Sequence, residues 1–375
     1  MNLFFLDSEK NMGGVERWMI NTAGKLRERG HRSYFSGRKG SIFLNRSIEE
    51  GFEAFPLKIQ SDFGIINIYK LASLFNQLHI DVIITNLNKD TRLAGVARLF
   101  VNKIALVSRH GLPILPNNWI YRLTFRHFAD GIITPCNHIK KTYLTYGWCQ
   151  ANSIRIIHNG IDSDVPIDFV RDEVLKQFHI PDRRPILGIF GRLVPQKRHT
   201  LFLDIAKNVL QQWPQAVFLI VGDGPLRQDI RQYATDLNIS ENVLMLGHQK
   251  DVMELYSICD LVLQTSQHEG LPNVVLEAMF AAKPVITFDV GGVKEMIPSQ
   301  EVGVVLPSHD IFSMTQSTLD ILRAPERRKA IGHAARQHIL DNFSLTGMID
   351  QVENYLREVM ARKRGQRMGP PPLSR

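Results

Sequence analysis

The chain of 375 residues has little cysteine and no long apolar run. Its three cysteines are Cys136, Cys149 and Cys259; they lack the spacing of metal ligands and cannot all pair. This pattern argues against a disulfide scaffold and favours a reduced, cytoplasmic environment. No stretch of ~18 apolar residues is uninterrupted, so no membrane-spanning segment is predicted. The apolar start, Leu3–Leu6, is too short for a signal peptide and predicts a first strand.

Acidic residues are scarce in the first half. Residues 1–150 carry a net charge of +9 and residues 151–361 a net charge of −6, while the last fourteen residues contain five basic groups and no acid. A basic first half predicts an acidic partner, which could be membrane phospholipid, an anionic lipid-linked acceptor or nucleic acid. The alternative is an ordinary solvated surface of lysine and arginine.

The sequence also lacks internal repeats, but its length exceeds the ~100–200 residues usual for one domain. In both halves, short strand-like runs such as those at 3–6 and 185–190 alternate with stretches of helical periodicity. This alternation predicts an α/β chain with two doubly wound, Rossmann-like domains. Ligands are expected at the carboxyl ends of the strands, in a cleft between the domains.

The most informative motif runs from Gln267 to Met279 and contains two carboxylates, Glu269 and Glu277. A helix is predicted to open near Pro272, and the positive end of a helix binds anions. Carboxylates flanking an anion site do not bind the anion, but they can accept hydrogen bonds from a sugar and a ribose. An anion between two polyols indicates a nucleotide sugar.

Two further segments fit this ligand. Gly191 and Arg192 end a predicted strand, and Lys197 follows at the mouth of a helix. Two cations at such a turn can neutralise a diphosphate. Near the start, Gly13 and Gly14 lie between a strand and a helix, where glycine lets the backbone approach a phosphate.

With these residues the chain resembles the family 4 retaining glycosyltransferases of GT-B fold over nearly its whole length. The matching motifs are GGVER at 13–17, SRHG at 108–111, HNGID at 158–162, GRL at 191–193 with Lys197, VGDGP at 221–225, and the glutamate pair. The resemblance implies four segments: 1–165, an acceptor-side domain; 166–342, a nucleotide-sugar domain; 343–361, a helix crossing back to the first domain; and 362–375, a basic disordered tail.

The resemblance also implies residue roles. Glu269 would contact the donor sugar, Glu277 the ribose, and His110 the surroundings of the reacting centre, by polarisation or positioning. The catalytic set is His110, Arg192, Lys197 and Glu269. The predicted nucleotide-sugar-binding residues are Gly13, Gly14, Arg192, Lys197, Gly222, Gly247, His248, Glu269, Gly270, Leu271, Pro272, Asn273 and Glu277.

A metal and a cofactor are not expected. Asp162 and Asp164 could hold Mg²⁺ as an Asp-x-Asp pair, but turn chemistry in the linker explains them. The donor is a substrate, a UDP-sugar by expectation, and the acceptor is a glycan or lipid-linked hydroxyl used in cell-envelope polysaccharide or lipopolysaccharide synthesis. No nucleic acid partner is expected. A UDP-sugar 2-epimerase-like isomerase and a non-catalytic nucleotide-sugar or anionic-glycan binding protein remain alternatives.

Residues 117–128 combine aromatic and basic side chains. A helix that packs its apolar face on the sheet is one reading. In the other, Trp119, Ile120 and Phe125 insert shallowly into an anionic membrane. The second reading predicts a peripheral location on the cytoplasmic face of the inner membrane.

Overall fold

The structure is a computed structural model that describes residues 1–10, 13–58, 64–101, 103–112, 114–307 and 310–365. The chain divides into two compact units. The first comprises Met1–Asn159 and Thr346–Arg375, and the second comprises Gly160–Leu345.

The first unit contains a parallel sheet of seven strands in the order β3-β2-β1-β4-β5-β6-β7. The strands are β1 (Asn2–Asp7), β2 (Arg32–Arg38), β3 (Glu53–Leu57), β4 (Val82–Thr85), β5 (Ala105–Arg109), β6 (Gly131–Thr134) and β7 (Ile154–Ile156). The helices between them are α1 (Gly14–Glu28), α2 (Ile42–Glu49), α3 (Ile65–Gln77), α4 (Asn88–Ala97), α5 (Trp119–His127) and α6 (Asn137–Thr145), with short 3₁₀ helices at Arg98–Phe100 and Ala151–Ser153.

The second unit contains a parallel sheet of six strands in the order β10-β9-β8-β11-β12-β13. The strands are β8 (Ile186–Phe190), β9 (Val217–Val221), β10 (Val243–Gly247), β11 (Leu261–Gln264), β12 (Val285–Phe288) and β13 (Val304–Leu306). The helices of this unit are α7 (Arg171–Gln177), α8 (His199–Leu210), α9 (Arg227–Asp236), α10 (Met253–Ile258), α11 (Asn273–Phe280), α12 (Val293–Met296), α13 (Ile311–Arg323) and α14 (Pro325–Asn342), with 3₁₀ helices at Pro195–Lys197 and Ser240–Asn242. The last helix of the chain is α15 (Leu345–Arg364).

The central strand β1 shows why an uninterrupted apolar run forms here. Phe4 meets Phe75 of α3 edge-on at 5.0 Å between ring centroids, while the next residue, Phe5, stacks on Phe35 of β2 at 5.1 Å. Successive side chains of a strand point to opposite faces, so both faces of the sheet are covered.

Helix α15 belongs to the first unit from Thr346 onwards. The hydroxyl of its buried Tyr355 accepts a hydrogen bond from the Ile132 amide (3.2 Å) and donates one to the Ser153 carbonyl (2.7 Å). None of the helices formed by the described residues combines the length and apolar character that a bilayer crossing requires.

The prediction that a disordered tail begins at residue 362 is wrong for its first three residues, which continue α15. Lys363 pairs with Asp130 at 3.0 Å and Arg364 with Asp81 at 2.5 Å. Basic residues in the last turn of a helix also interact favourably with the negative end of the helix dipole. These contacts extend the helix to Arg364, and residues 366–375 lie outside the described residues.

Candidate functional site

The second unit has one point where its strand order reverses, between the neighbouring strands β8 and β11. The segment after β8 carries Arg192 and Lys197, and the segment after β11 carries Glu269. Ligands of open α/β sheets bind outside the carboxyl ends of strands at such a reversal. The topology therefore brings these two predicted segments together at the expected edge of the sheet.

Glu269 is the centre of this edge. Its Oε1 atom accepts a hydrogen bond from Lys197 Nζ at 2.5 Å and another from Gln264 Nε2 at 3.2 Å. Gln264 in turn accepts one from the hydroxyl of Thr287, at 2.8 Å. Gln264 and Thr287 are buried, so this chain of donors fixes the orientation of the carboxylate.

Lys197 is therefore an ion-pair partner of Glu269 as well as a predicted phosphate ligand. The side chains of Lys197 and Glu269 are 18% and 8% exposed. An ammonium has three donors, so Lys197 can keep its contact with Glu269 and still offer donors to an anion. Arg192, by contrast, is exposed at the end of the Gly191 turn.

Glu277 is oriented by a residue that the sequence analysis did not single out. The hydroxyl of Tyr256, on α10, donates to Glu277 Oε2 at 3.2 Å, and its ring stacks on Phe190 at 3.8 Å. Burial first, and then the neighbouring charge of Glu277, raises the pKa of Tyr256 well above its ordinary value. The phenol thus stays protonated, and its one proton is available to Glu277 or to the Val274 carbonyl, which is also at 3.2 Å.

The predicted loop 270–273 leads directly into α11. Pro272 is the N-cap of this helix, which begins at Asn273, one residue later than predicted. Leu271 and Pro272 are buried, as is Gly270. The buried side chains of Leu271 and Pro272 therefore shape the loop, and the positive end of α11 is set beside Glu269.

A glycine pair after β12, also missed from the sequence, supports this loop. The Gly292 amide donates to the Gly270 carbonyl at 2.7 Å, and a Cβ atom at Gly291 would lie 2.0 Å from the Glu269 carbonyl oxygen. Gly291 also has φ of 57°, a left-handed conformation. The adjacent glycines after a strand-like run were the signal available in the sequence.

Three glycines at the ends of β8, β9 and β10 connect the loops that follow these strands. Gly222 has φ of 142°, and a Cβ atom there would lie 1.9 Å from the Gly191 carbonyl oxygen. The Gly222 amide donates to the Gly247 carbonyl at 2.8 Å, while His248 beside it is exposed. Gly222 and Gly247 therefore hold the Arg192 turn in place.

In the first unit, the order of strands reverses between β1 and β4, next to the predicted Gly13–Gly14 phosphate loop. The Gly13 amide donates to Glu16 Oε2 at 2.6 Å, as half of a capping box. A carboxylate thus occupies this amide, and the contact of Gly13 with a phosphate stays a prediction. Gly14 is the first residue of α1.

A buried acidic cluster surrounds this loop. Asn86, which follows β4, donates to Asp7 Oδ2 at 3.0 Å and to Glu16 Oε1 at 3.2 Å. Burial, and then the charges of Asp90 and Glu16, raise the pKa of Asp7 well above its ordinary value. Asp7 and Glu16 therefore lie close together at this strand reversal, and burial favours the protonated form of Asp7.

His110 is buried, with its Nε2 atom 2.8 Å from the Ser108 hydroxyl. The rings of Phe125 and Tyr143 meet it edge-on at 5.0 and 5.8 Å. Burial, with a smaller contribution from Arg109, lowers the pKa of His110 to about 3. The imidazole is therefore neutral near neutral pH, which fits hydrogen bonding better than acid–base work.

Arg109 joins two of the sequence motifs. Its guanidinium donates to Asn159 Oδ1 at 2.7 Å and lies over the ring of Trp18 at 4.6 Å. Burial lowers the pKa of Arg109 to about 10, which leaves it charged. The SRHG and HNGID motifs are thus in contact within the first unit.

Two family models match the chain. The model described as "Glycosyltransferase Family 4" matches residues 12–165, and "Glycosyl transferases group 1" matches residues 170–338. The solved structure of HepE from Anabaena in complex with UDP-glucose is similar at a TM-score of 0.83 and 21% identity, covering 96% of this chain and 100% of that one. With the two doubly wound sheets, this similarity confirms the predicted α/β, GT-B fold.

Curated relatives match over shorter segments. The chain is 26% identical over 217 residues to the UDP-Gal:alpha-D-GlcNAc-diphosphoundecaprenol alpha-1,3-galactosyltransferase of Escherichia coli, covering 56% of this chain and 55% of that protein. It is 29% identical over 208 residues to the N-acetyl-alpha-D-glucosaminyl L-malate synthase of Bacillus anthracis, covering 55% and 54%. The matched segments span about half the length of these relatives.

Proposed function

Because the chain belongs to the family 4 glycosyltransferases, we propose that it moves a hexose-type sugar from UDP to a hydroxyl group of a glycan or lipid-linked acceptor. The reaction serves cell-envelope polysaccharide or lipopolysaccharide synthesis. The relatives named above support this class of reaction, since one is named for a UDP-galactose donor and a lipid-diphosphate acceptor.

One observation carries the proposal: the Lys197–Glu269–Gln264 cluster beside the first turn of α11. It combines a cation and a helix N-terminus, which suit a diphosphate, with a carboxylate that suits sugar hydroxyls. Glu277 lies one turn further along α11 and is assigned to the ribose. A nucleotide without a sugar has no hydroxyl groups at this position that would need the Glu269 carboxylate as an acceptor.

The chemistry requires stabilisation of the charge that grows on the departing UDP. Lys197, the exposed Arg192 and the positive end of α11 supply it without a metal. Arg192 contributes a bidentate fork and Lys197 a compact charge, which complement each other on phosphate oxygens. In the retaining mechanism proposed here, the acceptor hydroxyl attacks the face of the sugar from which UDP leaves.

The first unit is assigned to the acceptor. His110 serves the reaction as a neutral hydrogen-bonding group, because its pKa of about 3 keeps it unprotonated. Gly14 remains a proposed phosphate contact, while Gly13 is engaged by Glu16. We also propose association with anionic membranes on the cytoplasmic face, because the first 150 residues carry a net charge of +9.

The test measures UDP release from a panel of UDP-sugars, with and without a glycan or lipid-linked acceptor. We expect acceptor-dependent release, a product with the anomeric configuration of the donor by NMR, and undiminished turnover in excess EDTA. Glu269→Gln should lose activity, whereas Glu241→Gln, an exposed glutamate of the same unit, should keep it.

Other outcomes would identify the rivals. Conversion of the sugar itself without any acceptor would show an isomerase, and binding without turnover would show a non-catalytic protein. If turnover is lost in EDTA and Mg²⁺ restores it, the metal-independent mechanism is contradicted. Asp162 and Asp164 would then be the candidate ligands of Mg²⁺.

A further inference from the structure

The first unit exposes a group of large apolar side chains. Among the described residues, twelve such side chains are exposed, and eight of them fall between residues 65 and 123. We name this surface the α3–α5 face. It consists of Ile65, Ile66, Tyr69, Leu99, Phe100, Trp119, Ile120 and Leu123.

The topology puts these residues on one side of the sheet. The steps from β3 to β4, from β4 to β5 and from β5 to β6 all run in the same direction across the sheet order. Right-handed crossovers therefore place α3, α4 and α5 on the same face. The rings of Tyr69 and Phe100 are 5.9 Å apart, and Arg92 of α4 donates to the Thr124 hydroxyl of α5 at 3.1 Å.

The core does not need the α3–α5 face. Helices α3 and α4 already pack their inner residues, such as Leu71, Phe75 and Leu93, against the sheet. On α5, Phe125 is buried against the ring of Trp148, so the prediction that Phe125 inserts into a membrane is wrong. Leu123 lies outside instead, near Trp119 and Ile120, because residues one helical turn apart share a side.

The exposed charged side chains of residues 64–128 are basic. Residues 64–128 contain eight lysines and arginines and only two acidic residues, Asp81 and Asp90. Asp81 is paired with Arg364, and Asp90 is fully buried. The exposed charges around the apolar residues are therefore basic, and they are Lys70, Lys103, Arg122 and Arg126.

Apolar and aromatic side chains bordered by basic ones match an anionic lipid surface, where the apolar groups insert and the cations meet headgroups. If this face stayed in water, its exposed apolar side chains would cost free energy that no contact offsets. We propose that the α3–α5 face docks onto an anionic phospholipid bilayer. The inference rests on the proposed function only for the reason why the protein would bind a membrane, which is that a lipid-linked acceptor resides there.

The test is co-sedimentation with vesicles of phosphatidylcholine alone or mixed with phosphatidylglycerol, at low and high salt. We expect binding to the anionic vesicles that weakens with salt. Arg122→Gln with Arg126→Gln should weaken binding about 25-fold, because each basic group contributes about fivefold. The matched control, Lys207→Gln with Arg231→Gln, changes two exposed cations of the second unit and should bind as the parent does.

Insertion is tested by fluorescence. Trp119 is 74% exposed, whereas Trp18 and Trp148 are buried. Brominated lipid should therefore quench the parent protein and leave Trp119→Phe largely unquenched, with Trp213→Phe as the control. Trp119→Ser with Leu123→Ser should reduce vesicle binding at least tenfold, and Phe312→Ser, an exposed aromatic of the second unit, should not.

Three results would overturn the proposal: negligible pelleting of the parent on anionic vesicles, binding that neither double variant weakens, or quenching that does not depend on Trp119. A dimer in solution that Trp119→Ser with Leu123→Ser converts to monomer would make the face an interface between copies. Release of UDP with a soluble acceptor is measured in parallel. It should be unchanged in these variants, so failure of docking and failure of the transferase proposal are read separately.

Discussion

Replacing Lys197 with methionine separates its two roles, as a partner of Glu269 and as a ligand of the diphosphate. The change keeps the length of the side chain but removes the charge 2.5 Å from Glu269 Oε1. Breaking a buried ion pair costs ~3–5 kcal/mol. Because Gln264 still donates to Glu269 and Lys197 is partly exposed, we expect a loss in unfolding free energy at the low end, about 3 kcal/mol.

Turnover should fall by ~10²–10³, the typical cost of losing one donor to developing charge. The double variant Lys197→Met with Glu269→Gln removes both charges, so its stability should return to within about 1 kcal/mol of the parent. Its turnover should stay low, because the diphosphate still lacks its cation and the donor sugar lacks the Glu269 carboxylate. Lys207→Met, on the exposed side of α8, is the control for loss of a lysine.

The assays are urea unfolding and UDP release at saturating donor for all four proteins. Recovery of turnover together with stability in the double variant would refute the reasoning, since Lys197 would then act only as a structural partner. A stable and fully active Lys197→Met protein would refute both roles at once.

Two further predictions concern the residues that the structure places around the site. Tyr256→Phe should weaken UDP binding about tenfold in calorimetry, because Glu277 loses a hydrogen bond to a charged group; unchanged affinity would remove Glu277 from the ribose contact. The unfolding free energy should decrease as the pH falls from 6.5 towards 3, because the unfolded chain protonates His110 while the folded protein, with a pKa of about 3, does not. Urea unfolding should show a flatter decrease for His110→Gln, and an equal slope in both proteins would contradict the buried, neutral histidine.

The fold was predictable because its signals are local and repeated. Apolar runs alternating with helical periodicity, such as the run that forms β1, indicated the two parallel sheets before their order was known. Turns at strand ends were predictable for the same reason, since glycines such as Gly191 and Gly222 directly follow the apolar runs that form strands. The order of the strands required the tertiary structure.

Contacts between distant segments were not predictable. Lys197 and Glu269 were identified as two separate ligands, but their ion pair joins loops 72 positions apart. Tyr256 contacts Glu277 from α10, where its neighbours read only as an apolar face. The Gly13–Glu16 contact, by contrast, is local and spans only three residues.

The helical periodicity of α5 decides which of its side chains face solvent. A shift of one or two positions along the helix changes a side chain from exposed to buried. Trp119 and Leu123 are one turn apart and exposed, while Phe125 is turned inwards onto Trp148. The aromatic and basic composition of residues 117–128 indicated a surface role without indicating which side chains point outwards. The packing of α4 against α5 settled that question.

The central claim is that Glu269 contacts the sugar of a nucleotide sugar. Calorimetry of Glu269→Gln with UDP and with the UDP-sugar used in turnover tests it most directly. The account predicts that affinity for UDP stays near that of the parent protein, while affinity for the UDP-sugar falls by at least tenfold, because a charged acceptor of sugar hydroxyls is lost. An equal loss of affinity for both ligands would contradict it and would make Glu269 a structural partner of Lys197.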